Sequence, residues 1–328
     1  MDFEKLFSRF RELRVGVIGD VMLDTYWWGK VDRISPEAPV PVVAVSGKEQ
    51  RLGGAGNVAL NIAALGSKVD LLSVVGEDGD GFLLKGMLEE KKIGTEFLLT
   101  SSERVTTNKI RIISRNQHMM RLDAEITAPL DNRDEERLII SFKNYISTQR
   151  PDIIILEDYN KGVLSLNVIH EVMKICKEHS ILTAVDPKRK NFFEFTGATI
   201  FKPNLHEAKE GLNLLSDEVN PEFLHDIHLS LQARLSHEIS FITLSERGVF
   251  YHDSDKSAII PTHIRTIADV SGAGDTVIAV ASIVYAATRD VKLMAEMANI
   301  AGGLVCEEVG TVAINLEQLK HECKALLK

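Results

Sequence analysis

The chain has 328 residues, 45% of them hydrophobic, and a formal net charge of -9. That size and composition can bury a large core as one α/β unit or two modest domains, and they exclude a disordered chain. The acidic balance argues against a broad nucleic-acid or anionic-membrane surface, which would select an excess of Lys and Arg, so any phosphate bound here must be held locally.

Residues 1–11 mix charged and apolar side chains at helical spacing and lack the continuous apolar run of a secretory leader. Nowhere does an uncharged apolar run reach the length of about eighteen residues that a membrane helix needs. The expectation is a cytoplasmic protein with neither membrane nor nucleic-acid partners. Cys176, Cys306 and Cys323 are far apart and form no CxxC pair, which fits free thiols better than a disulfide framework or zinc site.

In chain order, the apolar run 15–19 reads as a first buried strand ending at Gly19-Asp20. Residues 26–46 then alternate polar and β-prone side chains without helical period, as do residues 105–123 around Lys109-Ile-Arg-Ile-Ile-Ser114. Both stretches are expected to form antiparallel strands outside the main sheet, as a small lid. Between them lies Gly53-Gly-Ala-Gly-Asn57, whose inner part Gly54-x-Gly56-x-x-Ala59 matches a degenerate dinucleotide fingerprint. That fingerprint needs a strand immediately before it, and Lys48-Glu-Gln-Arg51 is expected to interrupt one. A loop whose backbone approaches a polyhydroxylated ligand, with Asn57 offering donor and acceptor, is the alternative; close helix packing is the purely structural one.

Further along, helices are predicted at 57–65, 81–91, 134–148, 167–179, 205–212 and 221–235. Strands are predicted at 69–75, 153–156, 182–185, 199–201 and 239–244. The alternation implies an α/β fold, a doubly wound and mostly parallel sheet with helices on both faces. No repeat or Pro/Gly linker divides the chain, so a single domain over 1–328 is expected, its lid formed by about 25–48 and 104–123.

Asn204-Leu-His-Glu207 opens a helix with an amide and a carboxylate one turn apart. The pair could hold a hydrated magnesium ion or nucleotide phosphates, and it also reads as a capping box. Near the C-terminal end, Asp269-Val-Ser-Gly-Ala-Gly-Asp-Thr276 runs into the apolar stretch 276–287. A glycine-rich turn at the start of a buried helix offers unpaired N–H groups and a positive dipole end to an anion. Asp275 then places a carboxylate in that cradle, as a general base beside a phosphoryl group would be. Neither a P-loop nor a protein-kinase motif set is present.

Together, Gly53-Gly-Ala-Gly-Asn57, Asn204-x-x-Glu207 and Asp269 to Asp275 resemble the signatures of the ribokinase (PfkB) family, in the same order. The resemblance runs from about Arg14 to the C-terminal helices. It implies ATP as phosphate donor, Asp275 as the base, and the N–H groups of Gly272, Ala273, Gly274 and Asp275 as the anion hole. It implies Mg2+ held by Asn204 and Glu207, through water, and a potassium-type cation near Asp269 and Ser271. Ser245 and Gly248 would border the nucleotide phosphates or ribose, and Asn299 the base. Gly53, Gly54 and Asn57 would face the sugar, with Asp20 and Asp24 accepting bonds from its hydroxyls.

Within the family, the segments at 19–24, 33–42, 114–123, 158–162 and 185–188 are similar to the branch that phosphorylates O1 of D-glycero-β-D-manno-heptose 7-phosphate for lipopolysaccharide synthesis. Glu157 stands where that pattern has serine, and Arg189-Lys190 where it has smaller residues. The phosphorylated acceptor would need positive charge: Lys161 first, after a buried strand, then Lys188 and the lid residues Arg111, Arg115 and Arg121. With no HxGH motif in the chain, the kinase step alone is expected. An apolar lid edge at Pro39-Val-Pro-Val-Val43 suits a homodimer. Another sugar, sugar phosphate or nucleoside as acceptor is the nearer alternative, and a Rossmann-type nucleotide sensor or oxidoreductase the more distant one.

Overall fold

The structure, a computed structural model, describes residues 2–115, 117–215, 219–254, 256–263 and 265–327; Asn116, within the motif at 114–123, lies outside them. The strands are β1 (Arg14–Gly19), β2 (Val21–Ile34), β3 (Pro41–Gly54), β4 (Lys68–Gly76), β5 (Leu98–Ser101), β6 (Asn108–Ser114), β7 (Gln117–Ala124), β8 (Ile153–Glu157), β9 (Leu182–Asp186), β10 (Ile200–Phe201), β11 (Ile239–Thr243), β12 (Val249–His252) and β13 (Ser257–Ile260). The helices are α1 (Phe3–Phe10), α2 (Ala55–Ala64), α3 (Gly79–Glu90), α4 (Asn132–Gln149), α5 (Leu166–Glu178), α6 (Leu205–Leu212), α7 (Pro221–Leu235), α8 (Ala273–Thr288), α9 (Val291–Val305) and α10 (Leu316–Leu326).

Nine strands form one sheet in the order β13-β12-β11-β10-β9-β8-β1-β4-β5. Its interior pairs are parallel, and only the β11-β12-β13 edge runs antiparallel. Side chains one residue apart enter different cores. Ile153 and Ile155 join α1, α2, α3, α8, α9 and α10, whereas Ile154 and Leu156 join α4, α5, α6 and α7. Both faces are covered, which is why these strands read as unbroken apolar runs rather than alternating ones. Each such side chain contributes about 1.5–3 kcal/mol by burial, so a charge at any of them would oppose folding.

The smaller sheet has the order β3-β2-β6-β7. It departs from the sequence reading in two ways. First, β2 pairs with β6 in parallel, not antiparallel, because β3, α2, β4, α3 and β5 intervene and a connection that long can return in either sense. Second, β3 continues unbroken through Lys48-Glu-Gln-Arg51 to Gly54 and leads straight into α2. The charges do not interrupt the strand, because β3 is an edge strand whose two faces are both open there, so that Lys48, Glu49 and Gln50 all reach solvent. A strand therefore does precede the glycine cluster, but it belongs to an antiparallel pair with β2 and not to a dinucleotide-binding βαβ unit. Among the described residues no helix is long and apolar enough to cross a membrane.

Candidate active site

Eight of the ten helices among the described residues begin with an Asp, Asn or Ser side chain accepting a bond from the first turn. The exceptions are α2 and α8, whose N-caps are Gly54 and Gly272 with no side-chain bond. A cap is worth about 1 kcal/mol, and its omission leaves N–H groups available to something else. Both glycines have positive φ, 56° and 78°, and a β-carbon on either would collide, at Gly54 with the Asp20 carbonyl and at Gly272 with the Asn57 amide. At the start of α8 the Ala273 N–H turns back to the Val270 carbonyl at 3.3 Å. Of the N–H groups at Gly272 to Asp275, that of Ala273 is thus engaged within the turn, while those of Gly272, Gly274 and Asp275 remain at the open helix end.

Asp275 is only 3% exposed. Its Oδ2 accepts from Asn57 Nδ2 at 2.8 Å and its Oδ1 from the Tyr159 hydroxyl at 2.7 Å. Burial pushes this carboxyl up to about 6, against the bonds from Asn57 and Tyr159 that pull it down, with Asp186 adding to the rise and Lys202 opposing it. Asn57 is itself held from α2 by Asn61, whose Nδ2 donates to the Asn57 carbonyl at 2.9 Å, while Asn61 Oδ1 accepts from the Ile314 N–H at 2.9 Å. Tyr159 and Asn61 were not singled out by sequence. Tyr159 follows the apolar run of β8, and the rule that ligands gather at the carboxyl ends of parallel strands was the signal available.

A cavity of about 720 Å³ opens on the other side of Asp275, between the carboxyl ends of β9 to β11 and the start of α8. Its walls include Asn204, Glu207, Ser245, Gly248, Gly272, Gly274 and Asn299, all named from sequence. Asn299 donates to the Pro261 carbonyl at 2.9 Å. Asn204 and Glu207 form a true capping box, with Asn204 Oδ1 taking the Glu207 N–H and Glu207 Oε2 taking the Asn204 N–H, each at 2.8 Å. The remaining oxygen, Glu207 Oε1, accepts from Lys188 Nζ at 2.6 Å. Among the described residues no three His, Cys, Asp or Glu side chains are arranged to hold a metal directly.

Three charged residues at this floor escaped the sequence reading as site residues: Asp186, Lys202 and Glu157, each at or just after a strand end. Lys202 Nζ pairs with Asp186 Oδ2 at 2.8 Å, and both are under 4% exposed. Removing one partner of so buried a pair costs about 3–5 kcal/mol. Glu157 is fully buried, and neither oxygen has a partner among the described residues. Burial, then the charges of Asp186 and Asp275, hold its carboxyl well above the usual range, with Lys202 and Lys188 opposing.

Toward the smaller sheet the residues divide. Asp20 spends its oxygens on the backbone, accepting from the N–H groups of Tyr159, Lys161 and Val163 at 2.8, 2.9 and 3.0 Å. It thereby fixes the loop that carries Tyr159, and in this structure it does not present a free acceptor to a sugar. Gly53, one residue before the end of β3, lies opposite Met22, and Asp24 pairs with Arg111 at 2.5 Å. Lys161 Nζ lies 2.8 Å from Glu125. Arg121 bonds its strand neighbour Asp123 with a largely exposed side chain, so it is not drawn into the site. Asp269 and Ser271 bond each other, Ser271 Oγ donating to Asp269 Oδ1 at 2.8 Å.

Residues 13–318 match the pfkB family carbohydrate kinases. Among curated proteins, the chain is 40% identical to a bifunctional protein HldE of Syntrophotalea carbinolica, covering 99% of this chain and 65% of that one. It is 38% identical to a bifunctional protein HldE of Helicobacter hepaticus, covering 94% of this chain and 63% of that one. It thus spans about 65% of the length of the first of these relatives. Among solved structures it is similar to phosphofructokinase-2 from Escherichia coli in complex with potassium, with TM-score 0.80, 16% identity and coverage of 96% and 100%. A ribokinase from Arabidopsis thaliana complexed with ribose and ATP gives TM-score 0.74, 15% identity and coverage of 94% and 98%. At these identities the solved structures speak to the fold, which is ribokinase-like.

Proposed function

We propose an acceptor and a mechanism for this chain, which belongs to the pfkB family of carbohydrate kinases and is an ATP-dependent carbohydrate kinase. The acceptor is D-glycero-β-D-manno-heptose 7-phosphate, phosphorylated on O1 to the 1,7-bisphosphate used for ADP-heptose and lipopolysaccharide core synthesis. The relatives named HldE and the sequence segments similar to the heptose branch support this choice of sugar.

The observation that carries the mechanism is Asp275, buried between the cavity and Asn57 at an uncapped helix start. In its ionised form Asp275 takes the proton of the O1 hydroxyl. The O1–phosphorus bond then forms as the bond to the β,γ-bridging oxygen breaks, and ADP leaves. Tyr159 and Asn57 orient the carboxylate, and the N–H groups of Gly272, Gly274 and Asp275 stabilise the charge spread over the transferring group. Mg2+, when bound with the nucleotide, neutralises phosphate charge. Glu207 and Asn204, on the cavity wall with Asp186, would hold such an ion only through its water shell, since Glu207 Oε2 already takes the Asn204 N–H and Oε1 the Lys188 ammonium.

Lys161, Lys188 and Arg111 supply positive charge for the acceptor's phosphate. The smaller sheet acts as a lid that excludes water from the reaction. Its exposed Ile34, Val40, Val45 and Leu122 suit cover by a second copy, hence a homodimer.

ADP release measured across acceptors tests the reading. Heptose 7-phosphate should exceed fructose 1-phosphate, tagatose 6-phosphate, ribose and adenosine in kcat/KM by about 100-fold or more. A higher value for any of the others would reassign the acceptor.

A further inference from the structure

The family resemblance implies a monovalent cation near Asp269 and Ser271, and their turn, with the turn at Val309 to Thr311 that Gly310 ties to Asp269, presents a group of oxygens there. Each already has a donor. Asp269 Oδ1 accepts from the Ser271 N–H and hydroxyl at 3.0 and 2.8 Å, and Oδ2 from the Gly310 N–H at 2.9 Å. The Cys306 carbonyl accepts from the N–H groups of Ala268 and Asp269 at 2.8 and 3.2 Å. The carbonyls of Val309 and Thr311 both accept from one guanidinium nitrogen, Arg51 Nη1, at 2.6 and 3.2 Å.

Arg51 comes from β3 of the smaller sheet, nearly 260 residues away in sequence. Its guanidinium lies over the Tyr26 ring at 5.2 Å, and its Nε donates to Glu49 at 2.7 Å. A second cation placed about 4 Å from this one would be repelled by about 4 kcal/mol at the effective dielectric of a protein surface. The residues present therefore do not fit a bound monovalent ion. Thr311 also backs the anion turn, since a β-carbon at Gly272 would lie 3.0 Å from Thr311 Cγ2.

We propose that Arg51 is the resident cation of this loop, a positive charge delivered by the smaller sheet, so that phosphoryl transfer by this kinase requires no potassium. The charge stands behind the anion turn only while β3 is docked. Docking of the smaller sheet and readiness of the helix start are in that way one event.

The inference rests on the kinase reading, and its test has three arms that fail separately. Initial rates with heptose 7-phosphate are compared in potassium, sodium and tetramethylammonium salts at equal ionic strength. Rates within about two-fold are expected, and a ten-fold or greater stimulation by potassium would overturn the proposal. Crystals of the whole chain soaked in thallium(I) should show no anomalous peak at the carbonyls of Val309 and Thr311; a peak there also overturns it, whatever the acceptor proves to be. Arg51→Ala should lose about ten-fold in kcat in tetramethylammonium and regain most of it in potassium, with Arg51→Lys intermediate. A loss in a folded Arg51→Ala protein that potassium does not restore would assign Arg51 to packing alone and refute the cation role.

Discussion

The Tyr159 hydroxyl donates to Asp275 Oδ1 at 2.7 Å, across 116 residues of sequence, while Asn57 holds the other oxygen. Both bonds favour the ionised carboxylate and hold down a pKa that burial raises. Tyr159→Phe removes one of them and adds no charge. The acid limb of kcat/KM should therefore move to higher pH by up to about one unit, with kcat falling several-fold at neutral pH. An unmoved limb would separate Tyr159 from the ionisation of Asp275.

Asp275 itself must be deprotonated to act as a base. With its carboxyl pushed up to about 6, kcat/KM should rise with pH through that region and then level off. Asp275→Asn should lower kcat by about 100-fold or more while leaving the binding of ATP, measured calorimetrically, within a few-fold. Turnover near that of the parent would remove Asp275 as the base.

Glu157 offers a stability test with a defined sign. Its carboxyl is held well above its ordinary 4.5, so the folded chain retains a proton that the unfolded chain has lost. The stability this gives is fully present below about pH 4.5 and is lost as pH rises toward the folded value. Gln is neutral throughout, so Glu157→Gln should melt above the parent at about pH 8, and the gap should close as pH falls to about 4.5. A parent more stable than the variant at pH 8 would mean that Glu157 is ionised and paired in the fold.

Lys161 sits 2.8 Å from Glu125, beside the loop held by Asp20. Lys161→Ala should raise KM for phosphorylated acceptors by about ten-fold and leave unphosphorylated ones nearly unchanged, since a single phosphate contact is lost. Equal losses on both kinds of acceptor would place the acceptor phosphate elsewhere.

The parts of this molecule readable from sequence are those fixed within a few residues. The Asn204 and Glu207 bonds span three positions, as does the bond from Ala273 to Val270 that closes the turn at Gly272, so their spacing announced them. Helices α6 and α7 fell within their predicted limits because Asn204 and Asn220 cap them and their apolar period is clear. What escaped was set by pairing between distant strands. Asp186, Lys202 and Tyr159 meet only because β8, β9 and β10 run parallel and end together. The four-residue strands β12 and β13 are too short for a period to show. The passage of β3 through its charged stretch was misread because an edge strand exposed on both faces carries consecutive polar residues and so looks, in sequence, like a loop.

The unbroken length of β3 has a mechanical consequence. Fourteen residues at about 3.3 Å each make an arm of roughly 45 Å from Pro41 to Gly54. Gly54 ends the arm, adjoining the helix that carries Asn57, and would be its fulcrum; Arg51 lies close to that end. A rotation of about 10° at the fulcrum would sweep the tip through roughly 8 Å while displacing Arg51 by only about 2 Å. Two ångströms is still enough to break its bonds to Val309 and Thr311. Were the arm to pivot there, a large excursion at the tip would become a small stroke at the catalytic end.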